Sequence, residues 1–381
     1  NKSSLDLKQK EIILEGIHYR TRKPIRLAME KGIIARLSEV DQVLDGTSDQ
    51  DSDQGGKLQG RPHILAPGLV DLQINGFKGV DFNDPDLQPE QIEAISKDLI
   101  NTGVSTYYPT IITGPVERTS LLIKTFTEAI KQKGLASEMI GGIHLEGPFI
   151  SKEDGPRGAH PKAHCLEPDL KLLEQWQELA GGMIKILTLA PELPGSEELI
   201  RAAVDMDMVI GLGHTAAGSE DITRAVDAGA TLSTHLGNGS HKLLPRHPNY
   251  IWDQLAEDRL FASMIADGFH LPDAVLNVFT RSKGKKAILI SDGMPYTGLP
   301  PGLYDSPAAG RVQLTAEGKL HLEHHPGTLA GSASTLLDGI RKMAGLQGFP
   351  FAWDMASFHP FHLTHQDAPY GLQEGAPADL V

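Results

Sequence analysis

The chain has 381 residues, 40% of them hydrophobic and 22% charged, with a formal net charge of −14 at pH 7. That length suits a barrel of ~250 residues with a smaller companion domain. The acidic balance argues against nucleic acid or an anionic membrane as partner, while leaving room for a local basic pocket and an anionic small substrate. The single cysteine, Cys165, excludes an intramolecular disulfide and suits a reducing cytoplasm. No apolar run approaches the ~20 residues of a membrane helix. The opening NKSSLDLKQK has no hydrophobic signal core. It starts without Met, and the chain stops on ADLV, so further residues at either end are expected.

Residues 11–44 read as short strands, EIILEG and then IRLAMEKGIIARLSEV, whose alternation and Gly or Lys turns predict a small β domain. Residues 46–59 are polar and rich in Gly and Asp, and predict a solvated loop. From residue 63 the texture changes to short apolar runs separated by amphipathic stretches. The runs lie at 63–75, 104–112, 139–147, 183–191, 208–215, 231–238, 261–268 and 286–293. Near-continuous hydrophobicity is what a parallel strand buried on both faces requires.

Between the runs, EQIEAISKDLINTG places Ile92, Ile95 and Leu99 at helical spacing, with Gly103 to cap the end. VERTSLLIKTFTEAIKQKG, SEELIRAAVDMD and SEDITRAVDAGA repeat the pattern. Eight strands with intervening helices predict a closed (β/α)₈ barrel. An open doubly wound sheet would need a Gly-rich phosphate loop after its first strand, and no convincing one is present.

Several runs end in side chains capable of chemistry: Gln73 and Asn75, Glu146, His214, His235, Asp267 and Asp292. In a barrel, all C-terminal strand ends meet on one face. Glu146, His214 and His235 then form a plausible His₂Glu set for Zn²⁺ or a similar divalent ion, with a position left for water. Such an ion lowers the pKa of bound water to about 7. Any one of these histidines alone is more often an ordinary buried polar group; the three together on successive strand ends point to a metal. Asp292 could take a proton from water and return it to a leaving amine, or it could simply bond backbone N–H groups in the SDG turn.

HLGNGSHKLLPRH (235–247) could present the backbone N–H groups of Asn238, Gly239 and Ser240 to an anion, and Arg246 could grip it bidentately. Arg246 reads equally well as a solvated side chain. His270 could add a donor or a positive charge. His160, on the loop after the third strand, could polarise a carbonyl or have no role. His359, His362 and His365 are spaced by three, but Pro360 is expected to interrupt any regular helix there, and no carboxylate set accompanies them. His324 and His325 fall in a β-turn region. Cys165 reads as an inert thiol.

HLEGPF (144–149), GLGHT (211–215), THLGN (234–238), ADGFH (266–270) and ISDG (290–293) resemble the N-acetylglucosamine-6-phosphate deacetylases of the amidohydrolase superfamily. The resemblance runs from APGLVDLQING (66–76) to GTLAGSASTL (327–336) and resumes weakly at GAPADLV (375–381). It implies a metal-dependent hydrolase barrel over 63–365, joined to a β-sandwich whose two parts are 1–62 and 366–381. It also implies metal ligation by Glu146, His214 and His235, with Asp292 as general base and then acid, and His160 on the acetamide carbonyl. Asn238, Gly239, Arg246 and His270 match the stretches that hold the sugar phosphate, and the matching Arg reaches in from a neighbouring subunit, which implies a homodimer.

Many amidohydrolases carry His-x-His at the end of strand one and bind a second ion. Gln73-Ile74-Asn75 stands there instead, so one divalent ion is expected: Zn first, with Fe, Mn or Co as alternatives. The expected reaction converts N-acetylglucosamine 6-phosphate to glucosamine 6-phosphate and acetate in the cytoplasm. The alternatives are another N-acetyl sugar, a cyclic amide, or a catalytically silent barrel that binds sugar phosphates. The chain departs from the family pattern at Gly237-Asn238-Gly239-Ser240, at HKLLPRHPNYIWDQL and at ASFHPFHLTHQDAPYGL. These departures bear on the sugar and phosphate pockets more than on the amide chemistry.

Overall fold

The computed structural model describes residues 11–42, 63–306, 310–365 and 368–381. The loop expected at 46–59 lies outside them. The chain divides into two compact units, one made of residues 1–69 with 365–381 and the other of residues 70–364. No helix among the described residues is long and apolar enough to cross a membrane.

The first unit is a β-sheet assembled from both chain ends. Strands β1 (Ile12–His18), β2 (Pro24–Glu30) and β3 (Ile33–Glu39) run antiparallel, and β4 (Ile64–Leu65) pairs parallel with β1. Alternation sorts the two faces: Ile25 and Leu27 join Ile34, Leu65 and Ala376 in a small core, while Arg26 points outward to Glu15. Lys31 and Gly32 both adopt positive φ, as the two-residue turn between β2 and β3 demands. The C-terminal residues complete the unit through bridges from Ile33 to Pro377 and from Pro67 to Leu380.

The second unit is the barrel. Its parallel strands are β5 (Leu69–Ile74), β8 (Val104–Ile112), β9 (Ile143–Glu146), β10 (Ile184–Leu189), β11 (Val209–Leu212), β12 (Leu232–Ser233), β13 (Phe261–Ile265) and β14 (Ala287–Ile290), each hydrogen-bonded to the next. A hairpin, β6 (Gly76–Phe77) and β7 (Val80–Asp81), follows β5. All six residues of β5 and all four of β9 and β14 are buried, because helices cover the outer face and side chains fill the inner one. The seam between first and last strands closes through Asp292 N to Gln73 O at 2.9 Å and Asn75 N to Gly293 O at 2.8 Å.

Two features differ from the expectations above. Between β14 and the helix Leu336–Gln347, the chain inserts an antiparallel sheet of β15 (Gly302–Ser306), β16 (Gly310–Leu314), β17 (Leu320–Leu322) and β18 (His325–Leu329). The sheet has its own core of Tyr296, Val312, Leu314 and Leu320. His324 lies in its last turn and His325 opens β18. Further on, Phe358–Thr364 is helical despite Pro360. The proline sits in the first turn, where the missing N–H has no intrahelical partner to lose. His359 is buried there, with Nδ1 2.7 Å from Ala287 O, a packing role.

Candidate active site

The barrel delivers the expected side chains to one place. Glu146 closes β9, and His214, His235 and Asp292 each stand two residues beyond the last residue of β11, β12 and β14. All three of these last residues adopt positive φ: +51° at His214, +30° at His235 and +44° at Asp292. A non-glycine residue in that region costs about 1–3 kcal/mol and persists only where its surroundings over-determine it. Here His214 O accepts from Ser151 N at 3.0 Å, His235 N donates to Ser263 Oγ at 2.8 Å, and Asp292 N donates to Gln73 O. The turn that strain buys aims each side chain over the barrel mouth instead of along its strand.

Glu146 Oε1, His214 Nε2 and His235 Nε2 are the ligand atoms of a buried group lying within 4.8 Å of one another. His214 Nε2 is 3.0 Å and His235 Nε2 2.8 Å from Glu146 Oε1, and the two nitrogens are 3.1 Å apart. His214 Nδ1 lies 2.8 Å from Pro156 O, a contact its N–H must make, so in the neutral ring the Nε2 lone pair faces the cluster. Lone pairs gathered this closely repel unless a cation lies among them. Two imidazoles and one carboxylate therefore fit a divalent ion on the chemistry of the donor set.

The electrostatics follow from burial and proximity. Burial pushes the Glu146 carboxyl up, but the contacts with His214 and His235 outweigh it and hold it well below the usual range. Burial, then the Glu146 charge, push Asp292 up. Burial lowers His235, yet Glu146 outweighs it and the net shift is upward. His160, 5% exposed, has Nε2 3.2 Å from His214 Nε2, and burial beside His214 takes its pKa to about 3. It is a neutral imidazole whose Nδ1 has no partner among the described residues. Arg157 holds the backbone of His160 through Nη1 to His160 O at 2.5 Å.

The remaining expected residues divide. Asn238 follows His235 in a tight turn, its N donating to His235 O at 2.9 Å, and its Nδ2 is buried without a partner. Gly239 has φ +54°, and a Cβ there would meet His214 Nδ1 at 2.7 Å, so only glycine lets this backbone lie against the ring. His270 Nδ1 is 2.6 Å from Asp267 Oδ2, which orients the ring. Arg246 is not drawn into this group: it stands exposed on the loop before the helix Tyr250–Ala256, with no ion-pair partner among the described residues.

The structure gives roles to strand-end residues the sequence only flagged and brings in others inside the barrel. Gln73 Nε2 donates to Glu146 Oε1 and Asn75 Nδ2 to Asp292 Oδ1, both at 2.8 Å. The two strand-one amides thus orient carboxylates. Inside the barrel, His144 bridges strands, with Nδ1 3.0 Å from Leu72 O and Nε2 2.8 Å from Thr188 Oγ1, which in turn lies 2.8 Å from Thr234 Oγ1. Burial brings His144 down to about 4. The signal that could have found them is a polar residue inside an otherwise apolar buried run.

A model of the amidohydrolase family matches residues 64–381. The N-acetylglucosamine-6-phosphate deacetylase of Bacillus subtilis (strain 168) is 36% identical over 326 residues, 84% of this chain and 80% of that protein. The Homo sapiens enzyme of the same name is 33% identical over 346 residues, 88% of this chain and 81% of that protein. Among solved structures, N-acetyl-D-glucosamine-6-phosphate deacetylase from Mycobacterium smegmatis shares the fold, with a TM-score of 0.82 at 24% identity over 97% of this chain and 95% of that one. With the family model spanning most of its length and these relatives above 30% identity, the chain belongs to the amidohydrolase family, on the branch of the N-acetylglucosamine-6-phosphate deacetylases.

Proposed function

We propose that this protein hydrolyses the acetamide of N-acetylglucosamine 6-phosphate, giving glucosamine 6-phosphate and acetate. The observation that carries the reading is the convergence of Glu146, His214 and His235 beside Asp292 at the barrel mouth. Relatives of that name support the choice of substrate. Glu146, His214 and His235 would hold one divalent ion; two imidazoles and a carboxylate suit Zn²⁺, and the same donors accommodate Fe, Mn or Co. When bound, such an ion supplies Lewis acidity to water and to an amide carbonyl.

The chain's own groups do the rest. Asp292 takes a proton from the attacking water as the water oxygen bonds to the carbonyl carbon. It returns that proton to the amine as the C–N bond breaks. His160, kept neutral, donates one N–H toward the carbonyl oxygen on which charge develops. Asn238 offers its unpartnered Nδ2 to a substrate oxygen. Gly239 contributes backbone, and His270 with Arg246 binds the phosphate. Arg246 acts across a homodimer, which its exposed loop suits. A cytoplasmic setting agrees with the lone free Cys165.

The test is acetate release by the metal-replete protein, comparing N-acetylglucosamine 6-phosphate with N-acetylglucosamine. Release from the phosphorylated sugar alone is the expected result. Equal release from both keeps the amide chemistry and removes Arg246 and His270 from a phosphate role; release from neither ends the reading.

A further inference from the structure

Asp71 is an ionisable residue in the middle of a fully buried strand, and nothing in the chemistry above uses it. It lies on β5, on the seam with β14. Its Oδ2 accepts from Ser291 Oγ at 2.5 Å, and its Oδ1 accepts from Ser291 N at 3.1 Å and Gln73 N at 3.4 Å. Ser291 Oγ also accepts from Gly293 N at 3.1 Å. The residues on both sides of Asp292 are therefore pinned, one by Asp71 directly and the other through the same serine hydroxyl.

Asp292 needs pinning for two reasons. Its backbone is held at φ +44°, and its carboxylate sits in the field of Glu146, which repels it. Released, an SDG turn would relax toward an ordinary conformation and swing the carboxylate out of the pocket. Strand one opposes this at each residue. Asp71 binds Ser291, Gln73 O takes Asp292 N, Asn75 Nδ2 takes Asp292 Oδ1, and Asn75 and Gly76 donate to Gly293 O at 2.8 and 3.0 Å. In this set Asp71 accepts three hydrogen bonds, and a buried group with several donors aimed at it is the costliest member to lose.

We propose that Asp71 is a positioning residue: through Ser291 it holds Asp292 in the strained geometry that proton transfer requires. The inference rests on the deacetylase reading for its reaction, but its structural half can be tested alone. A residue that only closed the barrel would alter stability and leave the rate constant untouched. A positioning residue shows itself in kcat.

The experiment compares Asp71→Asn, Ser291→Ala and the double variant, each with its metal content measured and its kinetics on N-acetylglucosamine 6-phosphate. Asp71→Asn keeps the shape and loses one acceptor; Ser291→Ala is the milder change should Asp71→Asn fold poorly. Each single change should lower kcat by ~10- to 100-fold, the worth of a buried hydrogen bond together with the donor it leaves unpaired. KM and metal content should stay as in the parent. The double variant should be no worse than the poorer single, and Asp71→Asn placed on Asp292→Asn should add nothing. Parent-like kcat, a loss residing in KM or metal content, or full additivity overturns the proposal.

If the parent protein releases no acetate, the deacetylase reading fails and the clamp is judged by amide exchange. Ser291→Ala should then speed exchange at Asp292 and Gly293 by ~10-fold, with the other barrel strands unchanged. Unchanged exchange there overturns the clamp as well.

Discussion

Glu146, His214 and His235 are 4%, 7% and 3% exposed, and each is tied by backbone or side chain to a neighbouring strand or loop. Past His235 the construction changes: Leu243 is 90% exposed and Arg246 is exposed, without an ion-pair partner among the described residues. Bond-making needs groups held to fractions of an ångström, and the strand ends provide that through strain balanced by hydrogen bonds. Selecting a substrate or a second subunit needs surface that can be reshaped without disturbing the barrel. The loop after β12 provides such surface, and two of the three departures from the family pattern begin there.

Four experiments press on this contrast. The largest effect should come from the ligand set itself. Chelation, or His235→Asn, is expected to take acetate release to background and to lower the melting temperature of the replete protein, because an ion bound only to the folded state stabilises it. A melting curve indifferent to chelator would break the metal assignment. Next, Asp292→Asn should cut kcat by ~10²–10⁴-fold, the range of general acid–base catalysis, with ion content measured by elemental analysis unchanged. Retained turnover would return Asp292 to the role of a turn residue.

On the loop, Arg246→Ala should raise KM for the phosphorylated sugar by ~10-fold or more and leave kcat near its parent value, as loss of uniform binding does. An unchanged KM would leave the loop without a part in phosphate binding. The smallest effect concerns stability. Burial raises the Asp71 carboxyl to about 7, from 3.8. Between those values the folded chain holds a proton that the unfolded chain has released, so this group's contribution to stability falls as pH rises from about 4 to about 7. Asp71→Asn removes that dependence. The melting temperature of the variant relative to the parent should therefore climb across that window, and a flat difference would contradict it.

Much of the barrel was legible because its strands, buried on both faces, leave near-continuous apolar runs, and its helices, buried on one, leave a helical period. Glu146, His214, His235 and Asp292 were legible as polar residues ending apolar runs. The inserted sheet β15–β18 was not, since GLYDS and HPGTL are mostly exposed or half-buried and carry no strong alternation. The left-handed turns at His214, His235 and Asp292 were invisible for another reason. Nothing in their neighbours' side chains demands positive φ; it is imposed by strands far away in sequence. The same applies to Asp71 and Ser291, 220 residues apart, whose contact no local pattern can announce.

The sheet of the first unit carries a consequence for the order in which the chain is made. Ala66 and Val381 exchange hydrogen bonds at 2.9 and 3.0 Å, and Tyr370 Oη donates to Gly68 O at 2.6 Å, 302 positions away. A ribosome releases Ile25, Leu27 and Ile34 long before Ala376, the residue that seals their cluster, exists. Meanwhile, strands β1 to β3 wait with one apolar edge open while the barrel is synthesised. Pairings across such distances are the slow ones. These strands, made before the barrel, are thus among the last to finish, and in the interval their apolar face is open to misassembly.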